Sequence, residues 1–121
     1  MVKENKKEDC VFCKIIEGKI PADKVYEGDN FIVINDAHPV SDGHCLIIPK
    51  KHYFTVLDLP SLLGSELLAI AKAQSLRLIK EGKADGIKFV NNNFEAADQA
   101  VPHFHFHVIP EKNGIKRKKH V

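Results

Sequence analysis

The chain has 121 residues, 44% of them hydrophobic and 28% charged, a composition that indicates one folded domain and excludes disorder over most of its length. Its 18 basic and 16 acidic residues give a net charge of +2, too small for a fold that binds nucleic acid through a basic surface. No apolar run approaches the ~20 residues that cross a bilayer, and the N-terminus has no apolar signal core. We therefore expect a soluble cytoplasmic protein that binds neither a membrane nor a specific nucleic acid.

Charge divides the chain into three segments. Residues 1–9 form a charged leader, residues 10–110 form the predicted domain, and residues 111–121 form a basic tail in which five lysines and arginines outnumber Glu111. A tail of this kind is typical of a solvated terminus. No repeat or low-complexity linker interrupts the predicted domain, so we expect a single folding unit.

The first predicted element is a short helix within residues 10–22, ended by Gly18 and Pro21. A turn at residues 27–30 precedes an apolar strand at 31–34, and a loop at 35–43 separates this strand from a second one at 44–49. Turns at this spacing favour antiparallel pairing.

One long helix is predicted from Pro60-Ser61 to about Gly82, with Ser61 as its N-cap and Gly82 as its stop. A turn of 100° per residue places four apolar residues on one face: Leu63, Leu67, Ile70 and Leu78. Three others fall elsewhere: Leu68, Leu76 and Ile79. We therefore expect either a helix half sunk in its own core or one that also contacts a second subunit.

Two further strands are predicted at residues 87–90 and 102–110, with a loop at 91–98 between them. Because side chains alternate along a strand, His103, His105 and His107 share one face of the last strand, and Phe104, Phe106 and Val108 share the other. The apolar face can pack under the helix. Three imidazoles in a row are poor core material and indicate either metal binding or nucleophilic catalysis.

The cysteines bear on the choice between these two chemistries. Three is an odd number, which does not suit a secreted disulfide scaffold, and Cys45 lies in an apolar run as a core residue. Cys10 and Cys13 form a Cys-x-x-Cys, which is half a metal site or a redox pair. His52 and His103 would complete a Cys2His2 set for a structural zinc ion. His105 and His107 would then remain free for chemistry.

Several segments together resemble one known family. They are residues 103–109 (HFHFHVI), 10–16 (CVFCKII), 20–22 (IPA), Asp36 eight residues before His44, and residues 44–52 (HCLIIPKKH). This combination resembles the histidine triad (HIT) superfamily of nucleotide hydrolases and transferases, and within it the Hint branch in its bacterial, zinc-containing form.

The resemblance implies an α+β fold, in which a five-stranded antiparallel sheet carries one long helix and a short N-terminal helix, and the sheets of a homodimer join. It implies that His105 attacks the α-phosphorus of a nucleotide, giving a nucleotidyl-histidine that water hydrolyses. His107 would contact the α-phosphate, and His44 would support the site. The zinc ligands it implies are Cys10, Cys13, His52 and His103.

The resemblance also implies a substrate site. Asp36 would bind the ribose hydroxyls, Asn92 would lie near the sugar-phosphate, and an apolar slot for the base would be formed by Val11, Phe12, Ile15 and Ile34. Backbone N–H groups of Gln99, Ala100 and Val101 could donate to the phosphate oxygens.

The activity we expect is that of a purine nucleoside phosphoramidase. The alternatives are a dinucleoside polyphosphate hydrolase and a catalytically weak module that binds a nucleotide or a partner. A purely structural zinc protein would leave His105 and His107 without a role.

The chain departs from the family pattern just before the histidines. Asp98-Gln99-Ala100-Val101 stands where Gly-Gln-Ser-Val is frequent, so a hydroxyl is lost and a carboxylate is gained. Phe94 occupies a position that is commonly glycine, and we expect it to change the loop and narrow the pocket. These departures bear on substrate preference and rate more than on the nucleophile.

Overall fold

The computed structural model describes residues 9–115 and has an α+β architecture, with one five-stranded antiparallel sheet in the order β1-β2-β3-β5-β4. The helices are α1 (Val11–Ile16) and α2 (Gly64–Lys80). The strands are β1 (Lys24–Glu27), β2 (Phe31–Asn35), β3 (Cys45–Pro49), β4 (Gly86–Val90) and β5 (Phe106–Glu111). Nearly all of the predicted leader and most of the predicted tail lie outside the described residues. Within residues 9–115, no helix has the length and apolar character that a membrane span requires.

The predicted α+β fold is confirmed, and the centre of the sheet explains why. β2 and β3 pair along their whole length, from Phe31 opposite Pro49 to Asn35 opposite Cys45, and almost every residue in them is buried. Such continuous apolar runs are what a strand covered on both faces requires. β1 has no counterpart among the elements predicted from local pattern, because its residues KVYE are mostly exposed.

The two faces of the sheet carry different elements. Val33, Ile47 and Val108 point to a cluster that contains Ile70 and Leu78 of α2. The alternate residues of β2 and β3 point the other way, to a cluster that contains residues of α1: Ile32, Ile34, Leu46, Ile48, Cys10, Phe12 and Cys13. α1 and α2 therefore cover opposite faces of the sheet.

Cys45 lies in the α2-side cluster and is fully buried, as predicted for a core residue. Burial raises the pKa of its thiol to about 11, so it stays protonated. It is therefore a packing residue.

The N-terminal end of α2 differs from the prediction, whereas its C-terminal end agrees with it. Ser61 makes no capping hydrogen bond; it opens a 3-10 turn over Ser61–Leu63 that leads into the helix, so the N-cap prediction is wrong. The predicted stop is confirmed, because Gly82 adopts φ +77°, a conformation that favours glycine. The two sets of apolar residues predicted on this helix lie in different environments. Ile70 and Leu78 are buried, whereas Leu68 and Leu76 are 58% and 57% exposed.

The last strand begins later than predicted, at Phe106, so His103 and His105 precede it. The segment before it is held elsewhere: the His103 N–H donates to the Val101 carbonyl (2.8 Å) and the Phe104 N–H to the Tyr53 carbonyl (2.7 Å). The second bond ties this segment to the loop that follows β3, which carries His52.

Candidate functional site

All three clustered histidines are buried on the α1 side of the molecule. His103 is fully buried, and His105 and His107 are 6% and 7% exposed. A solvated row of surface histidines is therefore excluded. The three rings belong to two adjacent groups with different partners.

The first group contains the four predicted zinc ligands. The Cys10 Sγ lies 3.2 Å from the His103 Nδ1, and the Cys13 Sγ lies 3.3 Å from the His52 Nδ1. The two Nδ1 atoms lie 3.1 Å apart. A tetrahedral zinc ion with bonds of ~2.0–2.3 Å needs ligand atoms separated by roughly 3.3–3.8 Å. The cluster therefore has close to the size that such an ion requires.

Two surrounding hydrogen bonds prepare these atoms for a cation. The His103 Nε2 donates to the Pro49 carbonyl (3.0 Å), which leaves a lone pair on Nδ1, the atom that faces the cysteines. The Cys10 Sγ caps α1 and accepts a hydrogen bond from the Cys13 N–H (3.4 Å). These two hydrogen bonds thus hold one nitrogen and one sulfur ligand atom of the cluster in place, the His103 Nδ1 and the Cys10 Sγ.

His105 has the opposite arrangement of its two nitrogens. Its Nδ1 donates to the His103 carbonyl (2.8 Å), so the lone pair lies on Nε2. Burial lowers the pKa of His105, and the smaller effects of the His103 carbonyl and Asp36, which raise it, do not cancel this shift. The imidazole is therefore neutral at pH 7. The Phe12 ring packs against His105 edge-on, with centroids 5.2 Å apart. A neutral, oriented imidazole of this kind is a competent nucleophile.

His44 and His107 form a directed pair. The Val40 N–H donates to the His44 Nδ1 (3.2 Å), so the His44 proton lies on Nε2, 2.9 Å from the His107 Nδ1. His107 accepts there and carries its own proton on Nε2. Burial, then repulsion from His105 and His44, lowers the pKa of His107 to about 4, and burial also lowers the pKa of His44. The pair therefore ends in a neutral N–H donor.

A cavity of about 740 Å³ opens beside these rings, and both His105 and His107 line it. Eight other predicted residues line the same space: Val11, Phe12, Ile15, Ile34, Asp36, Asn92, Ala100 and Val101. The cavity is thus apolar on the α1 side and polar near the histidines, and its volume is in the range of small-molecule sites.

Gln99 does not line this cavity. Its backbone N–H, which the sequence offered as a phosphate donor, donates instead to the Phe94 carbonyl (3.1 Å). Its side chain accepts from the Phe94 N–H (2.6 Å) and donates to the Phe54 carbonyl (2.8 Å). Gln99 therefore braces the loop, which leaves Ala100 and Val101 as the candidate donors.

Phe94 does not narrow the pocket, contrary to expectation. It adopts φ +74°, the left-handed region that favours glycine, so the backbone keeps the shape that glycine would allow. Its ring packs against Phe54, with centroids 5.5 Å apart, and does not line the cavity. Asp98, the second non-glycine residue with positive φ in the described part of the chain, does line it.

Local pattern missed part of the cavity wall. The missed residues are Ile20, Pro21, Ala22, Asp23, Asn35, Ala37, His38 and Leu46. Leu46 could have been found from alternation, because it is the register partner of His107 and shares its face. Asp23 and His38 flank strands without any apolar pattern of their own, so they carried no signal.

Comparison with known proteins agrees with this geometry. A family model described as the HIT domain matches residues 17–114 of the chain. The crystal structure of a zinc-bound histidine triad family protein from Mycobacterium smegmatis superposes with a TM-score of 0.87 at 36% identity, covering 93% of this chain and 82% of that one.

Two relatives have named activities. An adenylylsulfatase from Arabidopsis thaliana is 41% identical over 104 residues, 86% of this chain and 53% of that protein. An adenosine 5'-monophosphoramidase from Saccharomyces cerevisiae is 40% identical over 109 residues, 88% of this chain and 66% of that protein. The chain therefore spans about half of the first relative and 66% of the second.

Proposed function

The chain belongs to the HIT domain family, and we propose that it is a nucleotide hydrolase that cleaves purine nucleoside phosphoramidates through a covalent nucleotidyl-His105 intermediate. The observation that carries this proposal is the orientation of His105. Its Nδ1–H donates to the His103 carbonyl, so the lone pair is on Nε2, which takes no part in that hydrogen bond. The ring lines the cavity. The activity named for the yeast relative supports the same reaction class.

The reaction has two balanced steps. The His105 Nε2 forms a bond to the α-phosphorus while the P–N bond of the substrate breaks, and the amine leaves after accepting a proton. Solvent supplies this proton, because a neutral His107 would become an imidazolate if it lost its Nε2 proton. The His107 Nε2–H lies on the same cavity wall and can donate a hydrogen bond to a phosphate oxygen. Water then cleaves the P–Nε2 bond, releasing the nucleoside monophosphate and restoring neutral His105.

The cavity wall supplies the proposed substrate contacts. The apolar α1 side accepts the base, Asp36 accepts from the ribose hydroxyls, and Asn92 lies near the sugar-phosphate. Backbone N–H groups of Ala100 and Val101 donate to the phosphate oxygens, where negative charge develops in the transition state. The Ala100 side chain offers no hydroxyl for this purpose.

The test uses AMP joined to a simple amine as substrate. Wild-type protein should release AMP, and intact mass after acid quenching should show a protein fraction heavier by one adenylyl group. H105A should lower kcat by at least ~10³-fold and abolish the adduct. H120A, which changes a histidine of the tail segment, serves as the control. Turnover by H105A at the wild-type rate would overturn the nucleophile assignment.

The alternative activity on the same scaffold is hydrolysis of dinucleoside polyphosphates. The same assay, with diadenosine tetraphosphate as a second substrate, distinguishes this activity from phosphoramidate hydrolysis. Binding of AMP without turnover of either substrate would instead favour the non-catalytic nucleotide-binding module.

We further propose that Cys10, Cys13, His52 and His103 hold a structural zinc ion. The four ligand atoms lie within 4.8 Å of one another, and the zinc-bound relative supports this choice of metal. When bound, the ion would fasten α1 to the two loops that carry His52 and His103. It would thereby fix the α1 wall of the cavity and the carbonyl that orients His105.

We also propose that the protein is a homodimer. In the described chain, β4 pairs only with β5 and so forms one edge of the sheet. α2 presents an apolar stripe of exposed residues away from its buried face: Leu68, Leu76 and Ile79. Unpaired strand edges and exposed apolar stripes are the features that a second copy can cover.

A further inference from the structure

Three carboxylates line the cavity, and they differ in their partners. Asp23 accepts from the Asn35 Nδ2 (2.7 Å), and Asp36 accepts from the His38 N–H (2.8 Å). The Asp98 carboxylate makes no hydrogen bond or ion pair with any residue between 9 and 115. It is exposed, so it lies where the cavity meets solvent. This carboxylate is therefore available to a ligand.

The backbone holds Asp98 in place without using its side chain. Asp98 adopts φ +66°, and its N–H donates to the Glu95 carbonyl (2.9 Å). Aspartate and asparagine tolerate this left-handed conformation better than most residues. Two residues later, Ala100 lines the same cavity together with His105. The charge therefore lies on the loop that leads to the nucleophile.

The part of the cavity wall that the structure describes offers no lysine or arginine to balance the charge of Asp98. A leaving group that carries phosphates, sulfate or a carboxylate would meet unopposed negative charge on its way out. An amine that carries a second, cationic group would instead be attracted.

Resting on the proposed function, we propose that Asp98 is a specificity-determining residue that selects phosphoramidates whose leaving amine bears a distal positive charge. The covalent step is unchanged: the P–N bond breaks, the leaving nitrogen accepts one proton to become a neutral amino group, and the amine departs past Asp98 with its distal positive charge. Anionic leaving groups are disfavoured by the same charge.

Three substrates with one reacting bond test this assignment. AMP is joined through a P–N bond to 1,6-diaminohexane, to hexylamine or to 6-aminohexanoate, so that only the distal group changes. Wild-type kcat/KM should be about 10-fold higher for the cationic substrate than for the anionic one at low salt, and high salt should shrink this ratio. D98N should reduce the ratio to about 3-fold or less.

D98N preserves the shape and the left-handed tolerance of the side chain, so a folding defect is not expected. E95Q is the matched control, because Glu95 is an exposed residue of the same loop that does not line the cavity, and its loss changes net charge equally. E95Q should keep the wild-type ratio.

The two proposals fail in distinguishable ways. Hydrolysis of none of the three substrates by wild-type protein would overturn the proposed function and this inference together. Equal hydrolysis of all three, or a ratio that D98N leaves unchanged, would overturn the role of Asp98 while the activity stands. A ratio that E95Q lowers as much as D98N would show a general charge effect and overturn it as well.

Discussion

One neighbouring backbone group sets the tautomer of each of three histidines, His44, His103 and His105, and the tautomer decides what each ring can do. A carbonyl beside His103 takes the Nε2 proton and leaves a ligand lone pair on Nδ1. At His44 an amide N–H does the reverse: it occupies the Nδ1 lone pair and forces the proton onto Nε2. His44, His107 and Asp36 are grouped closely enough to hold an ion, yet a metal on the His44 Nε2 would drive a proton onto Nδ1, against the Val40 N–H. That group is therefore arranged to donate a hydrogen bond from the His107 Nε2–H.

The low pKa of His107 predicts an acid-dependent loss of stability. Its pKa is about 4 in the fold and near 6.5 in an unfolded chain. Below pH 6.5 the unfolded chain gains a proton that folded His107 does not accept. The contribution of His107 to the free energy of unfolding is therefore fully present above pH 6.5 and is lost as the pH falls toward 4. Between pH 7.5 and 5, the free energy of unfolding should fall by about 2 kcal/mol more in wild type than in H107N.

Denaturant titrations at the two pH values measure this difference. Protonation of the four proposed metal ligands affects both proteins and cancels in the comparison. H38N is the control, because His38 is an exposed histidine whose removal should leave the wild-type pH dependence in place. Equal acid sensitivity of H107N and wild type would show that His107 is not the titrating group.

At the scale of elements, α1 is too short to be stable on its own. It has six residues, and only Phe12 and Cys13 among them are buried. Its position therefore depends on what Cys10 and Cys13 bind. C13S should lower zinc from about one ion per chain to near zero and lower the free energy of unfolding by at least ~3 kcal/mol.

Metal analysis after dialysis and denaturant unfolding check this prediction. C45S is the matched control: it also places a serine at a buried cysteine, but in the α2-side cluster, so it should lose some stability and keep the zinc. Full zinc content in C13S would show that the four-residue cluster is not the metal site.

The elements that could be predicted are those whose own residues decide their structure. β2, β3 and the body of α2 carry continuous or periodic apolar residues, and each forms close to where that pattern places it. β1 could not be found this way, because its pairing with β2 and not its exposed side chains makes it a strand. The late start of β5 has the same kind of cause, since the Phe104 N–H bonds to the distant Tyr53 carbonyl.

The site divides in the same way. Residue type and spacing were enough to group Cys10 and Cys13 with His52 and His103, because few residue types can bind zinc and these can be recognised in a sequence. The direction of each proton was not predictable, because it depends on Val40, Pro49 and the His103 carbonyl, which act through backbone atoms that no side chain reveals. The free carboxylate of Asp98 was likewise visible as a residue but not as an unpartnered one.

At the scale of the whole molecule, the described chain leaves two surfaces uncovered. α2 buries one side against the sheet, whereas Leu68 and Ile79 on its other side are 58% and 48% exposed. β4 is the strand at one edge of the sheet, and its Phe89 side chain is exposed. Apolar area of this kind costs free energy in water, so it favours association with a second copy of the chain.

We therefore predict that the protein has twice the mass of a single chain in light scattering at micromolar concentration. Replacing Leu68 and Leu76 together by glutamate should give a monomer, because four buried charges cannot be paired across a two-fold interface, while glutamate preserves the helix. The matched control is L57E/L62E, since Leu57 and Leu62 are exposed leucines outside α2; it should remain dimeric. A monomeric wild type, or a dimeric L68E/L76E, would contradict the assignment of this surface.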